Sequence, residues 1–484
     1  HRRTLLRLFY RKSFIGSNME KNKFSSGVIT VLIANIINLG FSILTSFLLP
    51  KFLSVETYAT IKTFQLYVGY VGLLHLGYVD GMYIKNGGKK LSELSSENLS
   101  TSISTLRVIE TILMAALIML AVLIQDIVFI AFVLAIIPLN MSAYFQNLFS
   151  AVGEFKKYSS LVKATTFVAF AMNIFLVFVI RTDVACYYLA AYIVGDYCIW
   201  IILEFTVRKL CKTKFFRGFD LSELIENIKN GMLLTLGNLS SFLFTGMDRW
   251  FVKFFLPTAD FAQYSFAVSI EHFVNATITP ISVTLYNYFC HETNIVKIRK
   301  IRNYITIFSA AVVSVGFPAK FILENFLQSY ISANSIIFLL FSAQIFYFPI
   351  KSVFVNLYKA QKKQKQYFAK LVIAIIAGFI FNTICYIFLR SKEAMAVGTV
   401  LAAIFWWAIS LPDFKEIAYK PNELIFMFVE LLVFNVCGFF LNSITGFLVY
   451  IIFTILMSVL LQKEDTLELL DIGYSLVFSK LKRS

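Results

Sequence analysis

Charged residues are scarce in this chain of 484 residues. They make up 15% of it, whereas a soluble protein has about 25%, and hydrophobic residues reach 58%. Proline and glycine are also few, with 8 and 21 residues, which excludes a collagen-like or disordered chain. The composition therefore excludes a soluble fold and predicts an all-α, polytopic membrane protein with about 20 residues in each transmembrane helix.

Sequence signatures of catalysis and metal binding are missing as well. The six cysteines have no paired spacing, which indicates free thiols and no metal site. No nucleotide-binding P-loop, zinc-protease or nucleophile-elbow motif occurs. We therefore expect no catalytic residue, no cofactor and no enzymatic activity. A membrane-bound glycosyltransferase or polymerase is disfavoured because no outward-facing connection is long enough to hold a cluster of catalytic carboxylates.

Apolar runs predict about fourteen transmembrane helices. They lie near Val28–Leu49, Ile61–Met82, Ile103–Ile124, Ile127–Phe149, Tyr158–Ile180, Val184–Val207, Ile228–Phe251, Phe261–Tyr288, Tyr304–Leu323, Tyr330–Leu357, Tyr367–Leu389, Ala394–Leu411, Leu424–Leu441 and Ile444–Leu461. The predicted organisation is a basic cytoplasmic tail (1–27), an N-lobe of six helices (28–207), a cytoplasmic linker (208–229), a C-lobe of six helices (230–411) and two last helices with a cytoplasmic tail (412–484). Residues 1–18 precede a candidate start at Met19 and play no part in the functional interpretation.

Membrane topology explains most of the net charge of +16. When the connections are assigned to alternate sides of the membrane, one side carries 36 Lys and Arg residues and the other carries 8. Cytoplasmic loops of membrane proteins collect these residues, so we expect both termini in the cytoplasm. The basic character predicts contacts with anionic membrane lipids and no nucleic-acid partner.

Matching polar stripes lie 203 residues apart in two predicted helices. Asn35, Asn38, Ser42 and Thr45 share one face of the first helix, and Asn238, Ser241, Thr245 and Asp248 occupy the same registers of the seventh. Ordinary helix packing in lipid also uses such stripes. The interpretation that we favour is a parallel repeat, in which two six-helix lobes are related by a pseudo-two-fold axis and helices one, two, seven and eight line a central cavity, as in known transporters.

Eleven polar or charged residues are candidate site residues. We expect the substrate cavity to include Asn35, Asn38, Lys62, Asn238, Ser241, Asp248, Arg249 and Asn275, and ion coupling to use Glu271, His272 and Asp80. An ionisable group within a bilayer costs about 2.5–3.5 kcal/mol on insertion scales, which favours a functional reason for its presence. The alternatives are mutual pairing for Asp248 and Arg249, and a hydrogen-bonded packing role for Glu271.

Two short segments resemble motifs of the multidrug/oligosaccharidyl-lipid/polysaccharide exporter superfamily. Phe52–Ala59 reads FLSVETYA and is similar to the FLGPExYG connection after the first helix, from which Ser54 departs. Met247–Trp250 reads MDRW and, with Phe255–Pro257 and Phe261–Ser265, is similar to the DR…LGP…GxYS stretch at the seventh helix. Within the superfamily, this basic chain rich in Phe and Tyr is most similar to the polysaccharide branch, the Wzx-type O-antigen flippases.

The resemblance implies a flippase of the bacterial cell inner membrane. Its cargo would be an undecaprenyl-pyrophosphate-linked oligosaccharide, a repeat unit of O-antigen, capsule or exopolysaccharide, moved from the inner to the outer leaflet by alternating access. It implies a place in lipopolysaccharide biosynthesis, with polysaccharide polymerase and chain-length proteins as partners. Arg249, helped by Lys62, would attract the pyrophosphate, and a proton or sodium gradient would supply the coupling.

The alternative function is a cation-coupled multidrug or small-molecule antiporter of the same superfamily. Its cargo is cationic, so it predicts a cavity in which carboxylates dominate.

Overall fold

The computed structural model describes residues 37–471, and this part of the chain is helical without β-strands. Its helices are α1 (Ile37–Phe52), α2 (Val55–Val68), α3 (Tyr78–Asn86), α4 (Ser96–Ile124), α5 (Ile127–Ala151), α6 (Phe155–Ile174), α7 (Ala185–Cys211), α8 (Leu221–Phe255), α9 (Thr258–His291), α10 (Ile295–Val313), α11 (Gly316–Phe326), α12 (Asn334–Pro349), α13 (Val355–Ala360), α14 (Gln364–Leu389), α15 (Lys392–Ser410), α16 (Pro421–Phe440) and α17 (Ser443–Leu461), followed by helical residues 463–471. Turns of π-helix follow α6 at Phe175–Ile180 and α12 at Ile350–Phe354.

Ten helical segments of the described residues are long and apolar enough to cross a membrane. They are α4 to α7 and α10 to α17, with α10–α11 and α12–α13 each counted as one segment. The predicted all-α, multi-pass membrane fold is confirmed, whereas the count of fourteen helices stays a prediction. The four other predicted runs overlap α1, α2–α3, α8 and α9, the helices that the sequence analysis assigns to a central cavity.

The predicted run Ile61–Met82 is not one helix. The structure breaks it after Val68, and a new helix begins at Tyr78. Gly77 between them has φ +92°, a left-handed backbone conformation that glycine adopts without steric cost.

The chain forms two compact units. Among the described residues, unit 1 comprises 37–49 and 60–239, and unit 2 comprises 50–59 and 240–471. This division does not test the predicted boundaries of tails, lobes and linker, which stay predictions.

In unit 1, α3 crosses α8 at backbone contact. A Cβ atom on Gly81 would lie 1.9 Å from the carbonyl oxygen of Asn227, and one on Gly231 would lie 2.0 Å from the carbonyl oxygen of Gly77. Small residues let membrane helices approach this closely. The crossing fixes the start of α8 against α3.

The segment between α7 and α8 lies along α4 in unit 1. Hydroxyl groups of α4 accept its backbone N–H groups: Ser100 from Lys214 at 2.9 Å, Ser104 from Arg217 at 3.0 Å and Thr105 from Asp220 at 3.1 Å. Arg107 of α4 donates to the carboxylate of Glu204 on α7 and to the carbonyl oxygen of Phe215. These bonds pair backbone groups that would otherwise need water.

In unit 2, a buried ion pair joins α10 to α16. Arg302 is fully buried and lies 2.5 Å from the carboxylate of Glu423, with its guanidinium 3.9 Å from the ring centroid of Tyr419. The segment that contains α12 is almost entirely buried, which makes it the centre of this unit.

The two segments with family-like motifs form equivalent turns. Helix α1 ends at Phe52 and α2 begins at Val55, while α8 ends at Phe255 and α9 begins at Thr258. Both turns therefore have two residues, and they are separated by the same 203 residues that separate the polar stripes. This spacing supports an internal repeat in the sequence.

Candidate functional site

Unit 2 contains a polar cavity of about 310 Å³ within its helices. The lining residues are Ser241, Phe244, Thr245 and Asp248 of α8, Glu271, His272, Asn275 and Ile278 of α9, Tyr347 of α12, Lys351 of the following π-turn and Thr399 of α15. Two carboxylates, a histidine and a lysine thus meet in a region surrounded by apolar helices. Because such groups are costly in a membrane interior, their convergence marks a candidate functional site.

The Asp248 carboxylate holds three helices together. Its Oδ2 accepts hydrogen bonds from the hydroxyl of Tyr264 on α9 at 2.6 Å and from the hydroxyl of Thr399 on α15 at 3.0 Å. Its Oδ1 accepts from the backbone N–H of Arg249 at 2.8 Å. The residue is only 6% exposed, so these bonds compensate for the water that its carboxylate lacks.

A chain of hydrogen bonds connects Glu271 to Lys351 through Asn275. The ammonium of Lys351 donates to Asn275 Oδ1 at 3.0 Å, and the amide nitrogen of Asn275 donates to Glu271 Oε1 at 3.5 Å. The same carboxylate oxygen accepts from the side chain of Gln344, which is fully buried on α12. A change of charge at Glu271 would therefore be felt at Lys351 through one shared amide.

Lys351 is held in the cavity by an irregular stretch of backbone. The π-turn Ile350–Phe354 directly follows Pro349, and the hydroxyl of Ser282 on α9 donates to the carbonyl oxygen of Lys351 at 3.1 Å. The ammonium lies 5.0 Å from the ring centroid of Tyr347, within the range of a cation–π interaction. Single π-turns inside α-helices are frequent at functional sites.

Five of the predicted site residues line this one cavity: Ser241, Asp248, Glu271, His272 and Asn275. Arg249 is partly buried beside Asp248 but is not among the lining residues. Asn35 lies outside the described residues.

The remaining predicted residues belong to unit 1: Asn38, Lys62, Asp80 and Asn238. Asn38 is partly buried on α1, and Asn238 is exposed on α8. The ammonium of Lys62 donates to Gln65 Oε1 at 3.0 Å. The Asp80 carboxylate accepts from the hydroxyl of Thr235 and lies beside the crossing of α3 and α8. The structure does not test the predicted roles of these residues.

Sequence reasoning missed Lys351, which is not among the eleven candidate site residues. A signal was present, because Gln344, Tyr347 and Lys351 are spaced by 3 and 4 residues and so share one helical face. The same spacing identified the stripes of the first and seventh predicted helices. No group of His, Cys, Asp or Glu side chains among residues 37–471 is arranged to hold a metal ion.

Comparisons with known proteins find a similar fold among solved structures. No protein-family model and no curated protein matches the sequence. Among solved structures, an inward closed conformation of the lipid II flippase MurJ superposes with a TM-score of 0.59 and 14% sequence identity, over 92% of this chain and 99% of the MurJ chain. The fold is similar to that of MurJ.

More distant structural matches are multidrug transporters. An outward-facing MATE family transporter of the MOP superfamily matches with a TM-score of 0.48 and 11% identity over 81% of this chain and 96% of that chain. A MATE protein in complex with Br-NRF matches with a TM-score of 0.42 and 10% identity, over 80% and 96%. The likeness to MurJ shows the fold of a multi-pass, all-α membrane protein, and the Wzx-type branch stays a prediction.

Proposed function

We propose that this protein is a flippase for an undecaprenyl-pyrophosphate-linked oligosaccharide. The observation that carries the proposal is the similarity to a lipid II flippase over almost the full length of both chains. The protein would act in the bacterial inner membrane with both termini in the cytoplasm. The cargo would be a repeat unit of O-antigen, capsule or exopolysaccharide, taken from the inner to the outer leaflet and delivered to polymerase and chain-length proteins.

The cavity in unit 2 has the chemistry that a sugar headgroup needs. Ser241, Thr245 and Thr399 present hydroxyls, and Asn275 presents an amide. These groups both donate and accept hydrogen bonds, as sugar hydroxyls do. We assign them to the oligosaccharide, together with the predicted cavity residues of unit 1 named above.

Three cations are candidate partners of the pyrophosphate. We retain Arg249, helped by Lys62, as the predicted partners, because a guanidinium matches phosphate oxygens with two parallel donors. Lys351 is a third cation, and it already faces the cavity. The polyprenyl tail would stay in lipid.

The hydrogen-bond chain at Glu271 supports coupling to a proton or sodium gradient. A proton or ion on this carboxylate would weaken its bond to Asn275, and Asn275 is the partner of Lys351. Binding of the ion would thereby release the ammonium for an anionic cargo. His272 lines the same cavity, and Asp80 would play a corresponding part in unit 1.

Deletion of the gene followed by analysis of lipid-linked intermediates tests this function. We expect oligosaccharide-linked undecaprenyl pyrophosphate to accumulate on the inner leaflet, and the wild-type gene to reverse the accumulation. A deletion strain with normal export and no accumulation would contradict the proposal.

The second candidate function is a cation-coupled multidrug or small-molecule antiporter. The cavity in unit 2 favours it in one respect, since two carboxylates, Asp248 and Glu271, accompany one ammonium. Gradient-driven efflux of ethidium by the purified protein in vesicles, without movement of lipid-linked sugar, would establish this function instead.

Cysteine labelling tests the predicted topology and stripes. A hydrophilic maleimide should reach single cysteines at positions 22, 212 and 363 from the cytoplasm and those at 126, 182 and 443 from outside. Cysteines at Asn38 and Ser241 should react faster than one at Leu239. Equal reactivity at all three positions would mean that the stripes are packing seams.

A further inference from the structure

A second polar cavity, of about 360 Å³, lies in unit 1 where α3, α4 and α8 meet. Thirteen of its sixteen lining residues are polar or charged. By the predicted topology, it is on the cytoplasmic side. We propose that this cavity is a binding site for sugar hydroxyl groups, separate from the cavity in unit 2.

Three charged residues of this cavity, Asp220, Lys85 and Glu226, are engaged with a helix end or with each other. Asp220 accepts the backbone N–H groups of Ser222 at 2.8 Å and Glu223 at 3.1 Å at the start of α8. Lys85 and Glu226 form an ion pair at 2.8 Å. Because these charged groups already have partners, they attract an ionic ligand only weakly.

The balance of charge also excludes a phosphate group as the ligand. Four carboxylates line the cavity against two ammonium groups: Glu93, Asp220, Glu223 and Glu226 against Lys85 and Lys89. The excess of carboxylates would repel an anionic group inside the cavity. Because Lys85 and Glu226 are already paired and Asp220 caps α8, we assign the cavity to a neutral ligand that is rich in hydrogen-bonding groups, and a polyamine is the cationic alternative that the test below includes.

One buried side chain in the cavity, that of Asn227, is poorly hydrogen-bonded. Asn227 is 0% exposed, yet neither its Nδ2 nor its Oδ1 makes a hydrogen bond of normal geometry. Its amide interacts with the Glu223 carboxylate and the Tyr78 hydroxyl, but at a poorer geometry than that of a normal hydrogen bond. Buried polar groups of native proteins almost always have partners, so an exception indicates a missing ligand or another specific reason.

The carboxamide of Asn227 is suited to a hydroxyl-bearing ligand. It has one donor group and one acceptor atom side by side, and a sugar hydroxyl offers the complementary acceptor and donor. Ser222 and Asn98 add further neutral groups at the same cavity. The geometry therefore favours a sugar over a metal ion, a phosphate or an alkyl chain.

Binding of free sugars to the purified full-length protein tests the inference. The probes are the methyl glycosides of glucose, galactose and N-acetylglucosamine, with inorganic phosphate and spermidine for comparison, and the readout is the shift in melting temperature with ligand concentration. The choice of sugars rests on the proposed function. We expect at least one glycoside to raise the melting temperature.

Variants assign the binding to the cavity. Asn227→Ala should raise the half-maximal glycoside concentration roughly tenfold, the effect of about one lost hydrogen-bonding group. Asn98 is exposed and lines the same cavity. Asn98→Ala should therefore also weaken binding, and it replaces Asn227→Ala in the test if that variant does not fold. Asn325→Ala, exposed on α11 and outside both cavities, should have no effect.

Several results would overturn the inference. They are no shift with any glycoside, a shift with phosphate or spermidine alone, or a glycoside shift that persists in the folded Asn227→Ala and Asn98→Ala variants. A shift that is lost in Asn275→Ala instead would assign the sugar to the cavity in unit 2. That outcome would sink this inference and leave the proposed function intact.

Discussion

The hydrogen-bond chain in unit 2 gives a quantitative prediction. Lys351→Met removes a bond of 3.0 Å from an ammonium to Asn275, and Glu271→Gln removes the charge at the other end of the chain. A hydrogen bond to a charged group contributes about 1.5–3 kcal/mol. If the bond forms in the transporting state, each single variant should transport about 10- to 150-fold more slowly.

The double variant distinguishes a coupled pair from two independent residues. Both side chains act on the same Asn275 amide, so Glu271→Gln/Lys351→Met should be little worse than the more damaging single variant. This corresponds to a coupling energy of about 1.5–3 kcal/mol in a double-mutant cycle, close to the cost of the less damaging single variant.

The assay is complementation of the deletion strain, with transport measured as the fraction of lipid-linked oligosaccharide in the outer leaflet and protein amounts measured by immunoblot. Lys359→Met and Glu416→Gln are matched controls, because both side chains are exposed outside the cavity. If the fold-loss of transport in the double variant equals the product of the two single fold-losses, Glu271 and Lys351 act independently, and the hydrogen-bond chain does not couple them. Normal transport in both single variants would refute the site.

Two further predictions concern stability. Gly81→Leu should destabilise unit 1 by at least about 3 kcal/mol, because a Cβ there meets the backbone of Asn227, whereas Gly237→Leu, with nothing within 4 Å, should unfold at nearly the wild-type temperature. Equal melting temperatures for the two variants would contradict the described crossing. Arg302→Met should cost about 3–5 kcal/mol by leaving Glu423 buried without its cation, and Arg302→Met/Glu423→Leu should recover more than half of that loss in a thermal-unfolding measurement. Failure of the double variant to recover would mean that the pair is not the origin of the cost.

Composition and hydropathy were sufficient to predict the fold class. In a membrane the backbone must satisfy its own hydrogen bonds. Long apolar runs that lack the alternating pattern of a β-strand can therefore form only helices. The break after Val68 was harder to predict, because the sequence around Gly69 and Gly77 is as apolar as the helices on either side. A left-handed backbone conformation at Gly77 is fixed by tertiary packing against α8.

The candidate site could be predicted in part, for a physical reason. Asp248, Glu271 and Asn275 stand out because polar groups are rare in their helices, and the structure brings them to one cavity. Lys351 was missed because a lysine at the edge of an apolar run has the same appearance as an interfacial residue. The structure shows Lys351 facing the cavity from the π-turn after Pro349, on the side that its spacing from Gln344 and Tyr347 indicates.

A leaflet-resolved assay with purified protein tests the central claim most directly. The protein is reconstituted into vesicles that carry a fluorescent undecaprenyl-pyrophosphate-linked oligosaccharide, and a membrane-impermeant quencher reports the fraction in the outer leaflet over time, with and without a proton or sodium gradient. We predict that the protein exposes the protected inner-leaflet fraction to the quencher, and that Lys351→Met slows this exposure. A protected fraction that stays constant, in vesicles that accumulate a cationic dye in response to the same gradient, would contradict the account.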